Sequence, residues 1–169
     1  MTRPLRIDPI AEARRHWESR WPDAPTPAMA AVTSIMRAQQ ILLARLNDVL
    51  RPFGLTFPRY EALMLLTFSS RGALPLGKVG ERLQVHRTSV TNIVDKLEAD
   101  GLVRRVPHAE DRRATLAELT PEGSRVALAA TRAMHAAGFG LGALDTADHE
   151  RLVEILRELR LASGDFVPE

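Results

Sequence analysis

Two short stretches hold side chains able to do chemistry: RTSVTN, Arg87 to Asn92, and HAEDRR, His108 to Arg113. Arg87, Thr88, Ser89, Thr91 and Asn92 are short hydrogen-bonding groups joined by one guanidinium. That set suits the major groove of duplex DNA, where Arg can bridge the guanine acceptors and Asn can pair with adenine. In the second stretch, His108, Glu110 and Asp111 are of types used in acid–base catalysis. They fall together at a tip between two strand-like runs, a poor place to exclude water. The chemistry that suits this tip is electrostatic: Arg113 would enter a minor groove whose negative potential attracts it. Asp111 would hold that guanidinium extended through charge-assisted hydrogen bonds, and Arg112 would contact phosphate. The plain alternatives are a solvated helix start for the first stretch and an exposed ion pair of little energetic weight for the second.

The elements that must position these residues follow from periodicity and punctuation. In His86 to Asp100, Val90, Ile93, Val94 and Leu97 share one side at helical spacing. Thr88 and Asn92 then project from the opposite side, flanked by Thr91 and Asp95, with Ser89 and Lys96 on one shoulder. Leu76 to Leu83 forms a shorter helix before it, with Gln84-Val85 as the turn, and Gly101 ends the longer helix in the left-handed position glycine favours. LVRRVPH and ATLAEL read as two strands of a ribbon. Upstream, Asp8-Pro9 starts a helix that ends at Pro22, with Trp17 and Trp21 near one face. PDAPTP is a stiff linker. Thr26-Pro27 opens a helix to about Arg51, apolar on more than one face, and Thr56 caps a third through RYEALMLLTFSS. After the ribbon, Thr120-Pro121 restarts helix to about Met134. GFGLG interrupts it, and Asp145 caps a last helix with Leu152, Ile155, Leu156 and Leu159 along one side.

The order predicts a mainly α chain with a small β-wing: a winged helix-turn-helix flanked by N- and C-terminal dimerisation helices. The division is 1–54 for the arm and dimerisation helices, 55–119 for the DNA-binding module, and 120–169 for the C-terminal dimerisation helices.

Composition sets the bounds. In 169 residues, 23 Lys/Arg nearly balance 21 Asp/Glu, for a formal net charge of +2. The isoelectric point of about 9.6 therefore exaggerates the basicity. Between Leu76 and Leu116, eight Lys/Arg face six Asp/Glu, so affinity for DNA would rest on placement and on doubling in a dimer. The absence of Cys excludes disulfides and thiolate metal sites and fits a cytoplasmic protein. The five His residues show no ligand spacing, so neither metal nor cofactor is expected. No run approaches membrane-spanning length and the N-terminus lacks the apolar core of a signal peptide. A single Tyr, no Cys, no GxSxG and no phosphate-binding loop leave an enzyme little to work with. The remaining rival is a winged helix used for protein contacts, which tolerates charge at the tip without requiring Arg.

LTFPRYEALMLL (Leu55 to Leu66) and the long run from Leu76 to Gly123, with VTNIVDKLEADGLVRR followed by PHAEDRRATLAELTPEG, resemble the MarR family of bacterial transcription regulators. The resemblance covers a little under half of the chain. It implies a homodimer whose terminal helices interlock and whose two recognition helices enter neighbouring major grooves of a pseudo-palindromic operator. It also implies an Asp-x-Arg pair at the wing tip, matched by Asp111 and Arg113. The long N-terminal helix resembles the arm of a subgroup that responds to urate or other small organic acids, in which an arm Trp and an acid of the third helix help form the ligand cleft. Trp17 or Trp21, with Glu61, stand at the matching places, although Glu61 departs from the expected Asp, so ligand identity does not transfer. Trp17, Trp21, Arg59, Tyr60 and Glu61 are thus the expected lining of a pocket for a phenolic or organic-acid effector. The alternative is that both Trp side chains staple the arm to the body.

Overall fold

A computed structural model describes residues 5–108 and 114–168. Asp8 caps the first helix, α1 (Pro9–Arg20), by accepting from the Ile10 N–H at 2.9 Å, and Pro9 occupies its first turn. The second, α2 (Thr26–Leu50), is 25 residues long, but only Thr26, Leu46 and Leu50 are buried. Its buried apolar residues, Leu46 and Leu50, lie near its C-terminus, the end that meets α3 (Phe57–Phe68) and α6 (Pro121–Ala136). Thr56 takes the cap position of α3 without a side-chain bond; Asn47 of α2 accepts from the Phe57 N–H at 2.8 Å instead. A tertiary partner has replaced the local one.

The winged module follows. Helix α4 (Leu76–Leu83) turns into α5 (Arg87–Ala99) through Gln84, which adopts a left-handed φ of 53°. Gln84 is thus a residue with a Cβ held in a conformation glycine prefers. Gly80 permits the close crossing of the two helices, since a Cβ there would meet Val90 Cγ2 at 2.9 Å. Strands β2 (Val103–Pro107) and β3 (Thr115–Leu119) pair antiparallel, with Arg105 opposite Ala117 and Arg104 opposite Glu118. The expected two-stranded ribbon is a three-stranded sheet of order β1-β3-β2, because β1 (Ala73–Pro75) pairs Leu74 with Ala117 on the other edge of β3. Three residues ending in Pro are too short for alternation to announce a strand.

Leu50, Leu63, Leu66, Val79, Val94, Leu97 and Met134 are fully buried in one core drawing on all three sequence segments. Each such side chain contributes on the order of 1.5–3 kcal/mol. The C-terminal helix, α7 (Thr146–Ala162), is capped by Asp145, which accepts from the Asp148 N–H at 2.8 Å, yet it buries none of its residues. Val153 and Ile155 are 65% and 67% exposed. Among the described residues, no helix is long and apolar enough to cross a membrane.

Candidate nucleic-acid interface

Helix α5 is amphipathic in the expected sense. Val90, Val94 and Leu97 are buried and Ile93 is half-buried, while Arg87, Thr88, Ser89, Thr91, Asn92 and Lys96 are exposed. Its start is fixed by His86, whose Nδ1 accepts from the Thr88 N–H at 3.3 Å. An imidazole cap was not foreseen, although its place directly before the first polar turn was legible. His86, Arg87, Thr88, Thr91, Asn92 and Asp95 line one open groove of about 430 Å³. Ser89 and Lys96 flank it without lining it. The exposed helix start adds its positive dipole end to this surface.

The acids of the module are mostly committed. Arg105, half-buried on β2, donates Nη2 to Asp95 at 2.5 Å and Nη1 to Glu98, whose carboxylate also accepts the Arg105 backbone N–H at 3.0 Å. Burial alone would lower the Arg105 pKa, but these bonds and charges outweigh it and raise it. Arg104, on the alternate face of the strand, donates to Glu118 at 2.6 Å and holds that carboxyl below the usual range. Asp100 lies 3.7 Å from Arg59, and Glu81 accepts from Lys78 at 2.9 Å. Among the described residues, Arg82, Arg87 and Lys96 carry no ion pair. Two of these three cations lie on the exposed sides of α5. Asp111, Arg112 and Arg113, the expected tip of the wing, lie outside the described residues.

The expected effector pocket is not brought together within the chain. Trp17 and Trp21, with ring centroids 4.8 Å apart, line a groove of about 810 Å³ with Arg20, Met29, Val32 and Thr33, but with none of Arg59, Tyr60 or Glu61. Tyr60 is a core residue whose hydroxyl shares a hydrogen bond with Thr131 at 3.1 Å. Arg59 donates to the Gly54 carbonyl at 3.3 Å. Glu61 is half-buried, and burial raises its carboxyl pKa above the ordinary value. The arm was expected to reach the winged module; instead α1 folds back along α2. Arg20 was missed, although it is the only cation between the two Trp residues in sequence.

Residues 55–115 match the model of the MarR family. The fold matches the crystal structure of Sco5413, a MarR family transcriptional regulator from Streptomyces coelicolor, with a TM-score of 0.78 and 55% identity. The match covers 84% of this chain and 99% of that one. The chain belongs to the MarR family. Another MarR-family structure, Sco3205 of Streptomyces coelicolor in complex with DNA, is 25% identical with a TM-score of 0.70, over 83% of this chain and 92% of that one. CouR from Rhodococcus jostii RHA1, solved bound to p-coumaroyl-CoA, is 25% identical with a TM-score of 0.66, over 79% and 92% of the two chains. The MarR assignment accounts for the winged helix-turn-helix with its added strand, and these relatives include transcriptional regulators.

Proposed function

We propose that this MarR-family chain is a transcriptional regulator that binds a pseudo-palindromic duplex operator as a homodimer and represses from it. The observation that carries the reading is the polar face of α5, where Arg87, Thr88, Thr91 and Asn92 converge on one open groove at an exposed helix start. Such a face can enter a major groove and hydrogen-bond to base edges. A relative solved in complex with DNA carries the same fold. Residues 55–119 would act as the DNA-binding module, with 1–54 and 120–169 as dimerisation segments folded onto one shared core. At the wing, Asp111 would orient Arg113 toward the minor groove and Arg112 would hold phosphate. An enzyme is not part of this reading, and the cytoplasm is where such a regulator would work.

Pairing is supported by what the single chain leaves uncovered. Ile35, Ile41, Leu42, Leu152, Val153 and Leu156 line an apolar groove of about 890 Å³ between α2 and α7. A second copy would bury these faces and bring two α5 helices to half-sites about one DNA turn apart.

The test is selection of bound fragments from the source genome, followed by titration of the selected duplex. The reading expects a pseudo-palindrome with half-sites about 10 base pairs apart. Replacing Arg113 by Ala should weaken binding and lower its salt dependence while the dimer persists. A monomer in solution, or equal affinity for all duplexes, would overturn it.

A response to a small aromatic or organic-acid effector is a second part of the proposal. It is supported by the groove beneath Trp17 and Trp21, whose apolar walls and Arg20 suit a planar anion, and by a relative that binds an aromatic thioester. The ligand would release DNA by favouring a spacing of the α5 helices that mismatches the half-sites. Titrating phenolic and purine acids while following Trp fluorescence and operator affinity tests it. A panel that leaves both unchanged would remove the effector from the reading.

A further inference from the structure

We propose that Arg105 is a positioning residue of the DNA interface, one that cancels acid on α5 so that the helix can approach phosphate, without itself touching DNA. The inference rests on the DNA-binding reading above. It starts from the placement of Asp95, which lines the same groove as Arg87, Thr91 and Asn92. Asp95 lies eight residues after Arg87, about 12 Å along a helix that rises 1.5 Å per residue. The major groove is itself about 12 Å wide. A helix that puts Arg87 at one wall of the groove therefore carries Asp95 toward the other wall, where phosphates line the rim. Two unscreened carboxylates there, Asp95 and Glu98 one turn apart, would repel the backbone over a Debye length of about 8–10 Å.

Arg105 cancels half of that charge from behind, one guanidinium against two carboxylates. Its guanidinium spans Asp95 at 2.5 Å and Glu98 on the adjoining turn, and its backbone N–H fixes the Glu98 carboxylate at 3.0 Å. The Arg105 side chain is 27% exposed against 54% for Asp95, so the acid stands outermost and the cation sits beneath it. That order suits neutralisation rather than contact. Lys96 is adjacent but carries no ion pair among the described residues, which leaves it for phosphate.

The experiment uses the full chain and its selected duplex across a salt series. Arg105→Gln is expected to weaken binding about tenfold or more, and adding Asp95→Asn and Glu98→Gln to recover most of the loss, a coupling that contacting groups show and independent ones do not. The salt slope of Arg105→Gln should change by less than about half of the ~0.9 that one lost phosphate contact removes. Asp95→Asn alone, which removes an acid from the groove and leaves Arg105 paired with Glu98, should bind DNA tighter than wild type at low salt. A triple variant as weak as Arg105→Gln, a slope reduced by a full contact, or Asp95→Asn binding no tighter than wild type would each overturn the proposal. If wild-type protein prefers no duplex, the DNA-binding reading itself has failed, a result distinguishable from all three.

Discussion

Gly123 lies directly against the carbonyl of Leu102: a Cβ at Gly123 would sit 1.9 Å from that oxygen. The same carbonyl accepts the Thr120 N–H at 3.1 Å, and the Thr120 hydroxyl, 2.8 Å from the Gly101 carbonyl, caps α6 by accepting from the Gly123 N–H. The base of the wing, the end of α5 and the start of α6 are therefore joined at one backbone crossing. Gly123→Ala must push these elements apart. A loss of about 1–3 kcal/mol is expected, as for overpacking elsewhere, and the midpoint of urea unfolding measures it.

The helix-turn carries a correctable strain. Gln84 sits at φ 53°, where L side chains crowd the following carbonyl. Gln84→Gly should stabilise the chain by about 0.5–1 kcal/mol, raising the urea midpoint with an unchanged slope.

Glu61 gives a pH signature. Burial raises its folded-state pKa, so the folded state holds its proton more tightly than the unfolded state. That linkage lowers stability as pH rises from the ordinary carboxylate range through the raised value, and the cost is fully present above it. Glu61→Gln should therefore raise Tm at neutral pH, and the gain should vanish below the ordinary range. Thermal melts across the acid range check the sign.

The uncovered face of α7 predicts association. Leu152 and Ile155 are exposed apolar residues on a helix with nothing buried. Replacing both by Glu should leave the chain folded but monomeric by sedimentation, and DNA affinity should fall with the loss of the second half-site.

Much of this was legible in the residues, for identifiable reasons. Asp8-Pro9, Gly101 and Thr120-Pro121 are local signals, and each bounds the element it announces. The polar face of α5 was legible because Val90, Val94 and Leu97 fix the opposite side. What escaped depends on long-range packing. The strand Ala73–Pro75 exists only because β3 offers it an edge, and Asn47 caps α3 from another helix. The pairing of Arg105 with Asp95 and Glu98 was hidden because no spacing rule links a strand to the helix before it. Trp17 and Trp21 are not gathered with Arg59, Tyr60 and Glu61 within one chain because α1 lies along α2.

In the proposed function, the α5 face of Arg87 to Asn92 selects one duplex over others. The most direct measurement is equilibrium titration of the genome-selected duplex and a scrambled duplex of equal length, with wild type, Arg87→Ala and Asn92→Ala at one moderate salt concentration. Wild type should prefer the selected duplex about a thousandfold or more. Each substitution should reduce that preference by about 1–3 kcal/mol while leaving scrambled-duplex binding by Asn92→Ala unchanged. Equal affinity of wild type for the two duplexes, or an unchanged preference in both variants, would contradict it.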